Sequence, residues 1–188
     1  MTSLPPLPDL LSENLSVVFC GINPGVRAAL NGHHFDGRGN RFWRTLHLAG
    51  FTPVQLRPEE DRRLLDYGCG STAAVSRPTA SASELTPGEL RDAATALERK
   101  IEHFRPAYIA FLGKTAYAAI TAQRQLEWGE QASTFGGAKV WLLPNPSGLN
   151  RAFSLDALVE AYRALAVAVA TSARTRSAWR CADRRSSC

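Results

Sequence analysis

Two short loops carry residue types suited to an active site. Gly21–Gly25 reads Gly-Ile-Asn-Pro-Gly and Asn145–Arg151 reads Asn-Pro-Ser-Gly-Leu-Asn-Arg, and each directly follows an apolar run typical of a buried strand. Parallel strands end at one edge of a sheet, where open α/β proteins bind ligands. We therefore expect both loops to line one cleft. Their amide side chains can hold a substrate or a water but cannot accept a proton as a carboxylate would.

The same loops argue against two other enzyme classes. A phosphate-binding loop would continue into Gly-Lys-Ser/Thr, which does not follow Gly21–Gly25. A carbohydrate glycosidase uses two carboxylates across a cleft, and neither loop contains one. We also expect no metal, neither a structural zinc nor an iron–sulfur cluster, because the cysteines are scattered and form no Cys-x-x-Cys pair: Cys20, Cys69, Cys181 and Cys188.

The composition is that of one globular domain. The chain has 188 residues, of which 45% are hydrophobic and 21% charged. No stretch approaches the roughly 18 consecutive apolar residues of a membrane helix. Residues 1–11 lack the basic start and apolar centre of a signal peptide. We therefore expect a cytoplasmic protein with no membrane partner.

The positive charge is unevenly distributed. Five of the 22 basic and one of the 17 acidic residues lie in 172–188, so residues 1–171 carry a net charge of only +1. The Ser/Arg-rich composition of 172–188, without apolar periodicity, predicts a basic disordered tail after a domain of residues 1–171. Within the domain, one basic cluster could be either a phosphate track or a solvated face. It consists of Arg27, Arg38, Arg41 and Arg44 with His33 and His34, opposed by Asp36.

Apolar runs and helical periodicity alternate along the chain. Strands are predicted at Val17–Ile22, Tyr108–Leu112 and Val140–Leu143, with a fourth near Ser71–Val75. Helices are predicted at Asn40–Ala49, Glu59–Tyr67, from a capping box at Thr86 to before Pro106, at Lys114–Thr121, and at Leu155–Val169 with Ser154 as N-cap. The alternation predicts a single three-layer α/β/α domain with a short, mainly parallel central sheet.

Six segments in order, collinear from about Leu15 to Leu165, resemble the mismatch-specific uracil/thymine-DNA glycosylases. They are Phe19–Gly25, Gly32–Phe35, Gly39–Trp43, Leu64–Tyr67, Arg77–Thr79 and Leu143–Leu149. The resemblance implies a uracil-DNA glycosylase fold. It also implies a monomeric, cofactor-free and monofunctional enzyme of base excision repair, cytoplasmic and associated with the nucleoid. Its expected partner is double-stranded DNA with G·U or G·T mismatches, from which it would flip and hydrolyse uracil, thymine or other modified pyrimidines.

The resemblance also implies a role for each site residue. Asn23 would orient the attacking water, which predicts a slow enzyme because an amide positions water without deprotonating it. Phe35 would stack on the flipped base, although a core position is the alternative for a lone aromatic. Backbone N–H groups around Ile22, His34 and Phe35 would donate to the pyrimidine carbonyls. The expected base pocket consists of Ile22, Ala28, His34, Phe35 and Asn145.

The second loop resembles the family's wedge, with Leu149 filling the gap that the extracted nucleotide leaves. Gly148 and Asn150 would meet the widowed guanine through their main chain, and Arg151 would intercalate or contact a phosphate. Ser147 would lie on the backbone side of this loop. An ordinary strand-to-helix connection, with Leu149 folded inward, is the alternative.

The chain also departs from the family pattern. Ala73 stands where relatives commonly carry Lys or Asn, which removes a polar contact on the pocket or phosphate side. Ala28 is typical of the thymine-processing branch, whereas Gly148-Leu149 follows the bacterial uracil branch. A second hypothesis from another class is a non-catalytic module that binds mismatched DNA, keeping the wedge but with negligible turnover.

Overall fold

The computed structural model describes residues 4–121, 123 and 125–185. Its centre is a five-stranded sheet in the order β2-β1-β3-β5-β4. The strands are β1 (Val17–Gly21), β2 (Cys69–Ala73), β3 (Tyr108–Leu112), β4 (Gly129–Phe135) and β5 (Ala138–Leu143). Four strands run parallel, and β4 pairs antiparallel with β5 at the sheet edge. The parallel strands therefore present their carboxyl ends at one edge.

The central strands form from the apolar runs because both of their faces are covered. All five residues of β3 are buried, as are the first four residues of β1. Such strands read as continuous apolar sequence. The sequence prediction of β1, β3 and β5 is confirmed to within one or two residues at each end, and β2 begins two residues before the predicted position.

Helices flank the sheet on both sides. They are α1 (Val26–Asn31), α2 (Phe42–Ala49), α3 (Pro87–Phe104), α4 (Lys114–Thr121) and α5 (Leu155–Arg185), with 3₁₀ helices at Pro58–Tyr67 and Ala82–Glu84. Both predicted N-caps are present. Thr86 Oγ1 accepts a hydrogen bond from the Glu89 N–H at 3.2 Å, and Ser154 Oγ accepts one from the Ala157 N–H at 3.1 Å.

Two apolar cores pack on the two faces of the sheet. One joins Val18, Ile109 and Val140 of the strands to residues of α3 and α4, including Ile101 and Tyr117. The other joins the alternate strand residues to α2 and α5 and is formed by Val17, Phe19, Tyr108, Ala110, Phe42, Leu46, Leu158 and Tyr162, among others. This alternation follows from strand side chains pointing to opposite faces. The predicted three-layer α/β/α fold is confirmed.

Some elements differ from the prediction. β4 has a largely polar sequence because it lies at an exposed edge, so no apolar run marked it. The segment Glu59–Tyr67 belongs to a 3₁₀ helix rather than an α-helix, and the short helix α1 was not predicted. The sequence predicts a disordered tail at 172–188, but α5 continues to Arg185. The prediction is therefore wrong for residues 172–185. Alanine and arginine are good helix formers, which favours this continuation. Residues 186–188 lie outside the described part.

The segment before β1 covers the free edge of β2. Leu10 and Ser71 exchange two backbone hydrogen bonds, each of 2.9 Å, in an antiparallel bridge. This contact brings residues 7–9 to the carboxyl edge of the sheet. Across the described ranges, no helix combines the length and apolar character needed to span a bilayer.

Candidate active site

Both predicted loops open onto one cavity of about 590 Å³. Nine of the predicted site residues line it: Ile22, Asn23, Ala28, His34, Phe35, Asn145, Ser147, Leu149 and Asn150. Gly148 and Arg151 belong to the second loop but do not line the cavity. The loops that follow the parallel strands β1 and β5 thus line a shared pocket, although residues 26–144 separate the two motifs in the chain.

The side chain of Asn23 is held in one orientation. Its amide nitrogen donates to the Arg77 carbonyl oxygen at 2.9 Å and to Thr79 Oγ1 at 2.7 Å. A backbone carbonyl can only accept, so the nitrogen rather than the oxygen of the amide must face Arg77. Thr79 in turn donates to the Ser81 carbonyl oxygen at 2.8 Å. The amide oxygen of Asn23 makes no hydrogen bond within the described residues and is left to accept one from a water.

Backbone bonds join the first loop to the segment that follows β2. The Thr79 N–H donates to the Pro24 carbonyl at 3.1 Å, and the Val75 N–H donates to the Ile22 carbonyl at 3.0 Å. Thr79 is only 4% exposed. The position of Asn23 therefore depends on a segment more than 50 residues further along the chain.

Phe35 presents an aromatic ring at the cavity. The ring stacks on that of Phe42, with centroids 3.6 Å apart and an interplanar angle of 21°. One ring face is covered in this way, while the residue also lines the cavity. The backbone of Phe35 has a φ of 56°, in the left-handed region that a bulky side chain rarely adopts. Strain of this kind is concentrated at functional sites, where the surrounding structure maintains it.

His34 forms a wall of the pocket through bonds that occupy both its backbone and its ring. Its N–H donates to the buried carboxylate of Asp61 at 2.9 Å, and its carbonyl accepts from the Trp43 indole at 3.2 Å. The expected donation from the His34 N–H to a pyrimidine is therefore wrong for this conformation, because the carboxylate already binds that group.

Both ring nitrogens of His34 have polar partners. Nε2 lies 2.8 Å from the Pro8 carbonyl, which can only accept, so Nε2 carries a hydrogen and donates, and Nδ1 lies 2.9 Å from the Ser71 hydroxyl. Burial lowers the pKa of His34 below its ordinary value, although the bond to Pro8 opposes this shift.

The second loop is ordered by its own polar groups. Asn145 Oδ1 accepts from the Ser147 N–H at 2.9 Å, and Ser147 Oγ accepts from the Leu149 N–H at 3.2 Å. The Asn150 side chain donates to the Asn145 carbonyl at 2.8 Å. Leu149 is nevertheless 78% exposed, so the alternative in which it folds inward is not the observed arrangement.

The basic cluster proposed from the sequence separates in three dimensions. Arg27 pairs with Asp36 at 3.2 Å. Arg41 donates to the backbone carbonyls of Ser147 and Asn150 in the second loop and of Phe153 after it, so this residue fits neither a phosphate track nor a solvated face. Arg38 and Arg151 are exposed and make no hydrogen bond or ion pair with the described residues. Arg44 of α2 is likewise exposed and makes no such contact within the described residues, so these three arginines remain available to a polyanion.

Several pocket residues were not identified from the sequence. Leu7 and Asp9 line the cavity from the segment that covers β2, and nothing in their spacing marks them. Asp9 accepts from Thr72 at 2.6 Å and pairs with Lys100 at 2.6 Å, which fastens the segment. Thr79 belongs to the segment Arg77–Thr79, which resembles the glycosylase family, but nothing in the sequence indicated its hydrogen bond to Asn23.

Comparison with known proteins agrees with this architecture. The family model of the uracil DNA glycosylase superfamily matches residues 8–166. The solution NMR structure of a candidate uracil DNA glycosylase from Methanosarcina acetivorans matches with a TM-score of 0.60 and 21% identity, covering 87% of this chain and 99% of that chain. At this identity the structural match supports the fold alone. The family model covers most of the chain, which therefore belongs to the uracil DNA glycosylase superfamily, whose members are DNA-repair glycosylases that hydrolyse N-glycosidic bonds.

Proposed function

We propose that this protein removes uracil from G·U mismatches in double-stranded DNA by flipping the nucleotide into the cavity and hydrolysing its glycosidic bond. The observation that carries the proposal is the combination of groups around one cavity. Asn23 offers an amide oxygen without a partner in the described residues, Phe35 offers a ring, and Leu149 stands exposed beside them. These groups match the needs of hydrolysis, base stacking and duplex insertion respectively.

The proposed reaction uses Asn23 to aim a water at the anomeric carbon. As the bond between C1′ and the base nitrogen breaks, its electron pair leaves with the base and positive charge develops on the sugar. The water oxygen bonds to C1′ and releases a proton to solvent, and the departing base anion takes up a proton from solvent. Because an amide does not accept that proton, Asn23 contributes by positioning, and the reaction depends on how well the base leaves.

The flipped base would stack on Phe35. The backbone N–H groups of Ile22 and Phe35 make no hydrogen bond with the described residues, so both remain able to donate to pyrimidine carbonyls. Donors that face the carbonyls stabilise the negative charge on the departing base. Asn145 would contribute from the second loop.

Leu149 would enter the duplex and occupy the space of the flipped nucleotide. Insertion of an apolar side chain between base steps offsets part of the lost stacking, which is worth a few kcal/mol per step. Gly148 would face the widowed guanine through its backbone, which accounts for a preference for mismatches. Asn150 is less suited to this role than the sequence suggested, because its N–H donates to the Ser147 carbonyl and its carbonyl accepts from Arg41. Arg38 and Arg151, both exposed, would contact phosphates.

Thymine is a further proposed substrate because Ala28 is small. Ala28 is 6% exposed and lines the cavity, where a larger polar side chain would crowd the 5-methyl group of thymine. Excision of thymine from a G·T duplex by the wild type, with a loss in Ala28→Ser that spares uracil excision, would support this. Activity on uracil alone, unaffected by Ala28→Gly, would contradict it.

The decisive experiment is single-turnover incubation with a labelled duplex that contains one G·U pair, followed by alkaline cleavage of abasic sites. Matched duplexes with A·U, G·T and G·C at the same position give the preference for the base and its partner. We expect strand scission with G·U. Tight binding of the same duplex without scission would instead support the alternative, a non-catalytic module that binds mismatched DNA.

A further inference from the structure

Arg41 holds the Leu149 loop, Asn145–Arg151, from outside that loop. Its guanidinium donates to the carbonyl oxygens of Phe153 at 2.6 Å, Asn150 at 2.7 Å and Ser147 at 3.1 Å. Its backbone N–H also donates to the Pro146 carbonyl at 3.0 Å. One residue at the start of α2 thus binds four carbonyl groups that lie more than 100 positions away in the chain.

The chemistry of this contact favours arginine. Hydrogen bonds from a charged donor are stronger than neutral ones, and the planar guanidinium can serve several acceptors at fixed angles. A lysine ammonium is a point charge and does not reproduce this planar arrangement of several N–H donors. Since the carbonyls of Ser147, Asn150 and Phe153 already occupy both terminal nitrogens of Arg41, the side chain is not free to contact a phosphate.

Two other contacts hold the same loop. Gly148 packs against the backbone of the Arg38–Arg41 segment so closely that a Cβ at Gly148 would lie 2.8 Å from the carbonyl oxygens of Arg38 and Gly39. At the start of the loop, the buried hydroxyl of Tyr162 donates to the Pro144 carbonyl at 3.3 Å. The backbone of the loop is therefore anchored at both ends and in the middle, whereas the Leu149 side chain is 78% exposed.

We propose that Arg41 is a positioning residue that orders the Leu149 loop before DNA binds, and so raises the rate of base removal without touching the DNA. This inference rests on the proposed function. Insertion of Leu149 into a duplex requires a defined backbone, and a loop that is already ordered avoids the entropic cost of ordering at the moment of binding. Arg41 would act only through the loop, which distinguishes it from Arg38 and Arg151.

Hydrogen exchange of the free full-length protein tests the structural half of this proposal without any substrate. In Arg41→Met, we expect the amides of Leu149, Asn150 and Ala152 to exchange about tenfold faster or more, because local opening becomes easier. Arg41→Lys should fall between Arg41→Met and the wild type. The control is Arg163→Met, which removes another arginine that donates to a backbone carbonyl, that of Leu48, away from the loop. Unchanged exchange in both Arg41 variants would overturn the proposal.

A double-mutant cycle on the G·U duplex tests the functional half. Arg41→Met should lower the single-turnover rate about tenfold in the wild-type background but less than about twofold in the Leu149→Ala background. The two losses should not add, because Arg41 is proposed to act only by ordering the loop that presents Leu149. Equal losses in the two backgrounds would overturn the proposal. If Arg41→Met does not fold, Arg41→Lys enters the same cycle. If the wild type itself excises no uracil, the proposed function fails, while the exchange experiment still decides whether Arg41 orders the loop.

Discussion

The amide nitrogen of Asn23 donates a hydrogen bond of 2.7 Å to the hydroxyl oxygen of Thr79. The same nitrogen also donates to the Arg77 carbonyl, so the segment after β2 takes up both hydrogens of the amide. The amide oxygen is thereby directed away from these partners and is available for a water. A flexible asparagine would adopt several rotamers, and only one would aim a water, so this anchoring bears directly on the rate.

Asn23→Ala should lower single-turnover excision of uracil from a G·U duplex by about a hundredfold or more, since the residue that aims the water is lost. Affinity for the same duplex should change little, because the wedge and the phosphate contacts remain. Gln131→Ala, which removes an amide side chain from β4, is the control and should retain the wild-type rate. A wild-type rate in Asn23→Ala would refute the assigned role.

Thr79→Val should lower the same rate about tenfold, because the isosteric side chain cannot accept the hydrogen bond that the Asn23 amide donates to Thr79 Oγ1. Thr79→Ser keeps the hydroxyl and should recover most of the rate. The measurement is the single-turnover rate constant, with the thermal midpoint as a check on folding. Equal rates for Val and Ser would show that the hydroxyl does not position Asn23.

Leu149→Ala should reduce base flipping and shorten the lifetime of the product complex, because alanine is too small to fill the gap left in the stack. Fluorescence of a 2-aminopurine placed beside the target base reports flipping, and dissociation of an abasic duplex gives the lifetime. Leu30→Ala, at another exposed leucine, is the control. The salt dependence of binding should stay the same in both variants, since neither removes a charge. Unaltered flipping in Leu149→Ala would count against the wedge.

Gly148→Ala should impair excision from duplex DNA, because its Cβ would meet the carbonyl oxygens of Arg38 and Gly39 at 2.8 Å and push the Leu149 loop away from the Arg38–Arg41 segment. Gly88→Ala is the matched control, since its Cβ would find only an ordinary contact of 3.6 Å at the start of α3. We expect roughly tenfold slower excision in Gly148→Ala and no loss in Gly88→Ala. Full activity in Gly148→Ala would show that the close contact is dispensable.

Folding stability should fall as the solution is acidified through the ordinary His34 pKa of 6.5. Burial lowers the pKa of His34 in the folded protein, so below pH 6.5 the unfolded chain binds a proton that the folded chain resists. The stabilisation is therefore present above this pH and is lost below it. Thermal midpoints at about pH 7.5 and about pH 5.5 should differ more in the wild type than in His34→Gln. An identical pH dependence would exclude His34 as the cause.

The central strands could be predicted because their signal is local. A segment such as Tyr108–Leu112 is apolar throughout because it is covered on both faces. The start of α3 is equally local, because its capping box needs only the four residues from Thr86 to Glu89. β4 left no such signal, because an exposed edge strand gains its stability from hydrogen bonds to β5 rather than from apolar side chains. Continuation of α5 through Arg185 was missed because a basic, non-periodic sequence predicts disorder even where its residues favour a helix.

The amino-acid sequence by itself determined the strand-to-loop motifs, and with them the place of Asn23 and Leu149 at one edge of the sheet. Only the tertiary structure decided which groups are already bound: the His34 N–H by Asp61, the Asn23 amide by Thr79, and the Arg41 guanidinium by the Leu149 loop. Each of these bonds joins residues far apart in the chain. Local sequence specifies which hydrogen-bonding groups a residue carries, whereas the packing of distant segments determines which partners those groups meet.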